Sequence, residues 1–142
     1  RYEIFLKKKN FIFINDSKAT SFEATKFALK NTKNIFWIVG GLPKKNDKIN
    51  LENLIKNIKK TYIIGKSPNF FKKQIMNKVN YCISRNLKNS LFQIFKDKRL
   101  FEKKDNVILF SPSAASYDQF LNFEKRGEKF KKLSKYYANK YI

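Results

Sequence analysis

Small residues and hydroxyl groups gather where two apolar runs of strand length end. Residues 111–116, Ser-Pro-Ser-Ala-Ala-Ser, follow an apolar run at 106–110. Residues 15–20, Asn-Asp-Ser-Lys-Ala-Thr, follow another run at 11–14. Ligands of an open α/β sheet bind beyond the carboxyl ends of its strands, and the start of a following helix favours an anionic group. The two segments therefore predict a binding edge for phosphates and carboxylates.

Lysine supplies the positive charge at this edge. Lys18, Lys44 and Lys66 each lie close to the end of an apolar run, and the chain has no histidine. Histidine is the commonest general base and metal ligand, so we expect no metal site in this chain. Its chemistry should rest on Lys, Asp, Ser, Thr and backbone groups.

Strand-like and helix-like segments alternate along the chain. Apolar runs predict strands at residues 2–6, 11–14, 35–39, 62–64, 81–83 and 107–110. Helical spacing of apolar residues predicts helices after Thr20, over 51–58, after Ser67, over 87–95, and from Phe120 to the C-terminus with a break at Gly127. This alternation is typical of βαβ units. We predict one α/β domain over residues 1–142, with a Rossmann-like, mainly parallel sheet, helices on both faces and an antiparallel N-terminal hairpin.

Composition narrows the class of protein. The 142 residues are 42% hydrophobic, which excludes a disordered chain, and no apolar run reaches the ~18 residues of a membrane span. A single cysteine, Cys82, suits a reducing compartment, and we expect a cytoplasmic monomer with no membrane partner. The net charge is +21, but 28 of the 32 basic residues are lysines spread over every segment. We interpret them as a solvated surface and expect no nucleic-acid partner; a bound polyanion is the alternative.

The order of the motifs resembles that of a known family. Asn-Asp-Ser-Lys-Ala-Thr at 15–20 is followed by Gly40-Gly41 with Lys44, and then by Ser-Pro-x-Ala-Ala-Ser-x-Asp-Gln-Phe-x-Asn-Phe-Glu-x-Arg-Gly at 111–127. This pattern resembles the C-terminal domain of the Mur ligases of peptidoglycan synthesis, in the branch that adds D-glutamate. The resemblance covers essentially the whole chain, and the motif at 111–127 is its most specific part.

The resemblance implies an ATP-dependent amide bond. In the family, the carboxylate of UDP-N-acetylmuramoyl-L-alanine becomes an acyl phosphate, which the amine of D-glutamate attacks. ATP and Mg²⁺ are held mainly by a central domain, and the UDP-sugar by an N-terminal domain. The present sequence has no G-x-x-x-x-G-K-[ST] phosphate loop, so we expect the isolated domain to be inactive.

The resemblance also assigns roles to residues of this sequence. Lys18 matches a catalytic lysine between nucleotide and substrates, and Arg1 and Asp16 match residues that contact the nucleotide. The positions that match the D-glutamate site are Thr20, Lys44, Ser116, Tyr117 and Phe123. One departure lies in the glycine motif, where the family commonly has Gly-Gly-Asp-Gly-Lys and this chain has Leu42 and Pro43 before Lys44. Because the substitutions alter the loop that carries Lys44, the adjacent Lys45 is the alternative ligand for the glutamate carboxylate.

Each position also has a structural interpretation. Thr20 with Glu23 forms a capping-box pattern, Ser116 is a candidate helix cap, Asp16 a turn former and Phe123 a core residue. Lys18 and Lys44, taken alone, are interpreted as solvated surface charges. At the level of function, the alternatives are a sibling Mur-type or folylpolyglutamate-type ligase domain with another amino acid substrate, and a basic polyanion-binding module.

Overall fold

A computed structural model describes residues 2–97 and 101–142, so the expectation for Arg1 lies outside the described residues. The strands are β1 (Glu3–Lys8), β2 (Phe11–Asn15), β3 (Ile35–Gly40), β4 (Ile58–Ile64), β5 (Tyr81–Arg85) and β6 (Asn106–Phe110). The α-helices are α1 (Phe22–Lys30), α2 (Pro68–Ile75), α3 (Leu87–Lys96) and α4 (Phe123–Tyr141), with a short 3₁₀ helix at Glu52–Asn57. None of these helices is long and apolar enough to cross a membrane, a finding limited to the described residues.

The six strands form a single sheet in the order β1-β2-β6-β3-β4-β5. Strands β2 to β6 run parallel, and β1 pairs antiparallel with β2 across a tight turn at Lys9 and Asn10. The predicted parallel sheet and N-terminal hairpin are therefore confirmed. Because β6 lies between β2 and β3, the segment that follows β6 emerges between the segments that follow its two neighbours.

Each face of the sheet carries its own apolar core. Trp37 points to the face covered by α1 and α2, and its neighbour Phe36 points to the face covered by α3 and α4, because successive side chains of a strand alternate. Both side chains are fully buried. The prediction of helices on both faces is confirmed, and the two cores fix the sheet edge on which the motif residues lie.

The boundaries of two predicted helices were wrong. The pattern at 51–58 predicted one helix, but the 3₁₀ helix ends at Asn57, and Ile58 begins β4. Helix α4 begins at Phe123, not Phe120, because the Asn122 side chain caps it by accepting from the Lys125 N–H.

Gly127 does not break α4, which continues to Tyr141. The residue has another use, because a Cβ built there would lie 2.9 Å from the Asn15 side-chain nitrogen and 3.3 Å from the Ser17 Cβ. The glycine therefore allows the first turns of α4 to approach the segment after β2 closely.

Candidate functional site

The loop between β6 and α4, residues 111–122, crosses the carboxyl ends of the parallel strands. The Gly40 N–H donates to the Pro112 carbonyl (3.0 Å), and the Gln119 side chain donates to the Arg85 carbonyl at the end of β5 (2.9 Å). Between these points, the Asp118 carboxylate accepts from the Lys66 N–H after β4 (2.9 Å). One segment thus ties together the strand ends at which sequence analysis placed the binding edge.

Asp16 is a buried carboxylate in this arrangement. Its side chain accepts hydrogen bonds from the Tyr2 N–H (3.0 Å) and from the Ser111 hydroxyl (2.7 Å), and the residue is 1% exposed. Its carbonyl also accepts from the Ala19 N–H (2.9 Å), which closes the turn after β2. The structure therefore agrees with the interpretation of Asp16 as a turn former, and contact between Asp16 and a nucleotide stays a prediction.

The hydroxyls of Ser111 and Ser113 face inward. The Thr25 hydroxyl on α1 lies 2.9 Å from the Ser111 Oγ and 2.7 Å from the Ser113 Oγ, and both serines are buried. These two hydroxyls are therefore engaged within the domain. They join the loop to α1, because buried hydroxyls need hydrogen-bond partners.

Lys44 lies on the segment after β3, which is held by hydrogen bonds on both sides of this residue. Leu42 and Ala115 exchange two backbone hydrogen bonds of 2.9 Å, two residues before Lys44 and one residue before Ser116. Farther along, the Asp47 carboxylate accepts from the Phe22 N–H at the start of α1 (2.9 Å). Pro43 removes no bond from this bridge, because Leu42 provides both of its backbone groups. The segments that carry Thr20, Lys44 and Ser116 are thus joined through their neighbours.

The cap of α1 is Ser21, whose side chain accepts from the Ala24 N–H (3.3 Å). The capping-box interpretation of Thr20 was therefore wrong. Thr20 is half-buried, and its hydroxyl makes no hydrogen bond with any residue that the structure describes. Because Thr20 does not cap α1, its hydroxyl is available to bind a ligand.

Ser116 does not cap a helix and Phe123 does not belong to a core, contrary to their structural interpretations. Ser116 is buried, and its carbonyl accepts from the N–H groups of Gln119 and Phe120, so it starts a turn while Asn122 caps α4. Phe123 is only half-buried and stands outside both cores. It lines a shallow cavity of about 250 Å³ together with the exposed Lys18.

Tyr117 stands apart from these residues. Its side chain is 70% exposed and projects from the crossing loop. It lies next to Ser116 in sequence, but the structure shows no contact that joins it to Lys18 or Lys44.

Arg126 holds the Lys18 turn, and it was not among the site residues predicted from the sequence. Its guanidinium donates from Nε to the Ser17 Oγ (2.9 Å) and from Nη2 to the Ser17 carbonyl (2.6 Å), and the residue is 1% exposed. Burial lowers the pKa of Arg126 to about 10, although the charge of Asp118 opposes this shift. The signal was helical spacing, since Arg126 lies four residues before the buried Phe130 on the same stripe of α4.

Two features of the described residues bear on cofactors and on the polyanion alternative. No group of three or more His, Cys, Asp or Glu side chains in the described part of the chain has the geometry to hold a metal ion. A groove of about 580 Å³ between α3 and α4 is lined by lysines and aromatic residues, and it lies away from the crossing loop. The described residues of the candidate edge therefore offer no carboxylate cluster for a divalent cation.

Curated relatives carry a common name. The chain is 41% identical over 130 residues to the UDP-N-acetylmuramoylalanine–D-glutamate ligase of Wolbachia sp. subsp. Brugia malayi, covering 92% of this chain and 26% of the relative. It is 42% identical over 124 residues to the enzyme of that name from Bartonella henselae, covering 87% and 27%. It is 40% identical over 126 residues to the enzyme of the same name from Rickettsia felis, covering 89% of this chain and 28% of the relative. No protein-family model matches the chain.

The fold and these matches together define a domain of the Mur ligase class. The chain belongs to the family of UDP-N-acetylmuramoylalanine–D-glutamate ligases, and it spans about a quarter of the length of the curated relatives it matches. This confirms the resemblance found in the motifs, and the sibling-ligase and polyanion alternatives are not favoured.

Proposed function

We propose that this chain is the D-glutamate-binding domain of a longer ATP-dependent ligase, which joins D-glutamate to UDP-N-acetylmuramoyl-L-alanine in peptidoglycan synthesis. The observation that carries the proposal is the Leu42–Ala115 bridge. It brings the segment of Lys44 against the segment of Ser116, at the sheet edge where the motifs predict the amino acid site. The names of the relatives supply the substrates.

Lys18 and Lys44 fit anionic ligands. Both are exposed, and neither forms an ion pair with a described residue. In the proposal, Lys44 and the hydroxyls of Thr20 and Ser116 hold the carboxylates of D-glutamate, with Phe123 and Tyr117 beside it. Lys18 stabilises the negative charge that develops on the phosphorylated substrate. Positioning of the amine and electrostatic stabilisation then do most of the catalytic work.

The residues of the candidate site fit a phosphate group of ATP but do not fit Mg²⁺. An exposed lysine in the turn after β2 suits a phosphate group of ATP, so Lys18 fits that ligand. The described residues do not fit Mg²⁺, which prefers carboxylate ligands, because Asp16 is already bound to Tyr2 and Ser111. We therefore place the metal and most of the ATP contacts in the remainder of the ligase.

Phosphate release by the full-length ligase tests the proposal. The assay contains ATP, Mg²⁺ and UDP-N-acetylmuramoyl-L-alanine, and the added amino acid is varied. We expect release with D-glutamate and not with L-glutamate or L-lysine. Release that requires a different amino acid would assign the chain to a sibling ligase. Absence of release with all of them would reject the ligase function.

Three further expectations stay predictions: a cytoplasmic location, a monomeric state and the absence of activity in the isolated domain. Cys82 is a free cysteine, which agrees with a reducing compartment. Mixing the isolated domain with the assay components provides a direct test of the third, because the proposal expects no release without the rest of the ligase.

A further inference from the structure

Arg126 is a buried cation without a carboxylate in contact. Its side chain forms no ion pair within the described residues, and its Nη1 atom is buried with no hydrogen-bond partner. The guanidinium lies over the Phe110 ring at 5.6 Å from the ring centre. Keeping an unpaired charge inside a protein is costly, and a hydrophobic replacement of similar size is often neutral or stabilising. A residue of this kind calls for a reason other than stability.

The contacts of Arg126 converge on Ser17. Besides the two bonds from Arg126, the Ser17 Oγ donates to the Phe123 carbonyl (2.7 Å) and the Ser17 N–H donates to the Asn15 side chain (3.1 Å). All hydrogen-bonding groups of Ser17 are therefore engaged. Its carbonyl belongs to the peptide bond that leads into Lys18, so the bond from Arg126 fixes the orientation of that peptide plane.

Arg126 also lies close to the glycine segment after β3. A Cβ built on Gly41 would lie 3.3 Å from the Arg126 Nη1 and 2.4 Å from the Ala115 carbonyl oxygen. The guanidinium thus lies where the turn after β2, the glycine pair and the loop after β6 meet. A single side chain from α4 is thus placed at the junction of these three segments.

We propose that Arg126 is a positioning residue of the ligation, which orients Lys18 through the Ser17–Lys18 peptide and does not itself touch the substrates. This inference rests on the proposed function. Lysine at this position keeps the charge but cannot reach both Ser17 atoms with the planar fork of a guanidinium. Methionine keeps most of the volume and removes both the charge and the hydrogen bonds.

The variants Arg126→Met and Arg126→Lys in the full-length ligase test the proposal, with Lys129→Met on the exposed side of the same helix as the control. We expect Arg126→Met to lower kcat by roughly tenfold to a hundredfold, as for a misplacement of about 1 Å, with Arg126→Lys intermediate. The KM for D-glutamate should stay within about twofold and the Tm close to wild type. A lower Tm that accounts for the lost activity, or a raised KM with unchanged kcat, would overturn the proposal.

Two further measurements separate positioning from an independent effect. In the Lys18→Ala background, Arg126→Met should lower kcat no further, because both changes remove the same oriented amine. Losses that multiply would contradict this. Tryptic cleavage of the Lys18–Ala19 bond, followed by mass spectrometry, requires no ligase activity. It should accelerate in Arg126→Met but not in Lys129→Met, and equal rates would show that Arg126 does not hold the turn, even if the proposed ligase function fails.

Discussion

The hydroxyl of Ser111 donates a hydrogen bond of 2.7 Å to the carboxylate of Asp16, across 95 positions of sequence. Both residues are buried, and each directly follows a strand, β6 for Ser111 and β2 for Asp16. The two strands are parallel neighbours, and the Asp16 N–H also donates to the Phe110 carbonyl (2.8 Å). The strand pairing therefore continues beyond the strands as a polar contact at the start of the candidate site.

Ser111→Ala should destabilise the fold. The variant removes a donor from a buried carboxylate and leaves only the Tyr2 N–H of the two donors described above, which costs about 1–3 kcal/mol of unfolding free energy. Urea denaturation followed by the fluorescence of the single tryptophan, Trp37, measures the change. Ser67→Ala is the control, because the Ser67 side chain makes no capping bond at α2. Equal stability of the two variants would show that the Asp16 contact contributes nothing.

Lys18→Ala should lower kcat of the full-length ligase by at least about a hundredfold, as does the loss of one group that stabilises transition-state charge. The free energy of unfolding should change by less than about 0.5 kcal/mol, because the side chain is exposed. Lys33→Ala, an exposed lysine before β3, is the control and should keep wild-type kcat. Wild-type turnover in Lys18→Ala would remove Lys18 from the catalytic assignment.

Ser116→Ala should raise the KM for D-glutamate and leave kcat unchanged. The loss of one hydrogen bond to substrate, worth about 0.5–1.5 kcal/mol, corresponds to a rise of up to about tenfold. The matched control is Ser90→Ala on α3, since the Ser90 hydroxyl is buried and donates to the Leu87 carbonyl. If KM in Ser116→Ala equals that of the wild type, Ser116 only starts the turn at residues 116–120.

Gly41→Ala should destabilise the fold by more than about 1 kcal/mol, because alanine is strained where φ is positive. Gly41 has a φ of +139°, and a Cβ there would lie 2.4 Å from the Ala115 carbonyl oxygen. The Leu42–Ala115 bridge has to shift in response, so the KM for D-glutamate should rise as well. Lys48→Ala is the control, because Lys48 is exposed on the same segment, and it should change neither quantity. Retained stability in Gly41→Ala would show that the bridge can move freely.

Tyr62 should make the fold less stable at high pH. Burial, and then its hydrogen bond to Asp97, raise the pKa of Tyr62 well above the ordinary value of 10.0. Above pH 10 the unfolded chain loses this proton while the folded chain keeps it, so the unfolding free energy falls as pH rises. Arg126 acts in the opposite direction, because its pKa in the folded state is lowered to about 10.

The comparison of wild type with Tyr62→Phe isolates the tyrosine. Both proteins retain Arg126, so the difference between their unfolding free energies should shrink or reverse as the pH rises from 8 to 11. Denaturant titrations at several pH values measure it. A pH-independent difference would mean that the folded chain also releases the Tyr62 proton in this range.

The parallel sheet was predictable because buried strands read as continuous apolar runs. Ile35–Gly40 is buried throughout, and its run was plain in the sequence. Element boundaries were harder, because tertiary contacts decide them. Phe120 shares the helical spacing of α4, but it belongs to the preceding loop. Its N–H donates to the Ser116 carbonyl, and the loop ends at the Asn122 cap.

The candidate site was predictable as a set of segments, although not as a set of contacts. Motif order placed Lys18, Lys44 and Ser116 at one edge of the sheet, and the strand order brings their segments together. The direction in which each polar group points depends on neighbours that are distant in sequence. The Ser111 hydroxyl binds Asp16 and Thr25. The Thr20 hydroxyl makes no hydrogen bond to a described residue, since Ser21 and not Thr20 caps α1.

The position of β6 also constrains how the chain acquires its structure during synthesis. This strand is the last of the six in sequence, but it lies between β2 and β3. Until residues 106–110 leave the ribosome, the hairpin of β1 and β2 and the group of β3, β4 and β5 share no strand pairing. Until that point, the edge of the fully apolar β3 that later pairs with β6 is unpaired. Such an edge exposes the nascent chain to aggregation and to chaperones. The Lys18 turn gains its Ser111 and Arg126 supports only after that strand is in place, so no shorter nascent chain carries a formed site.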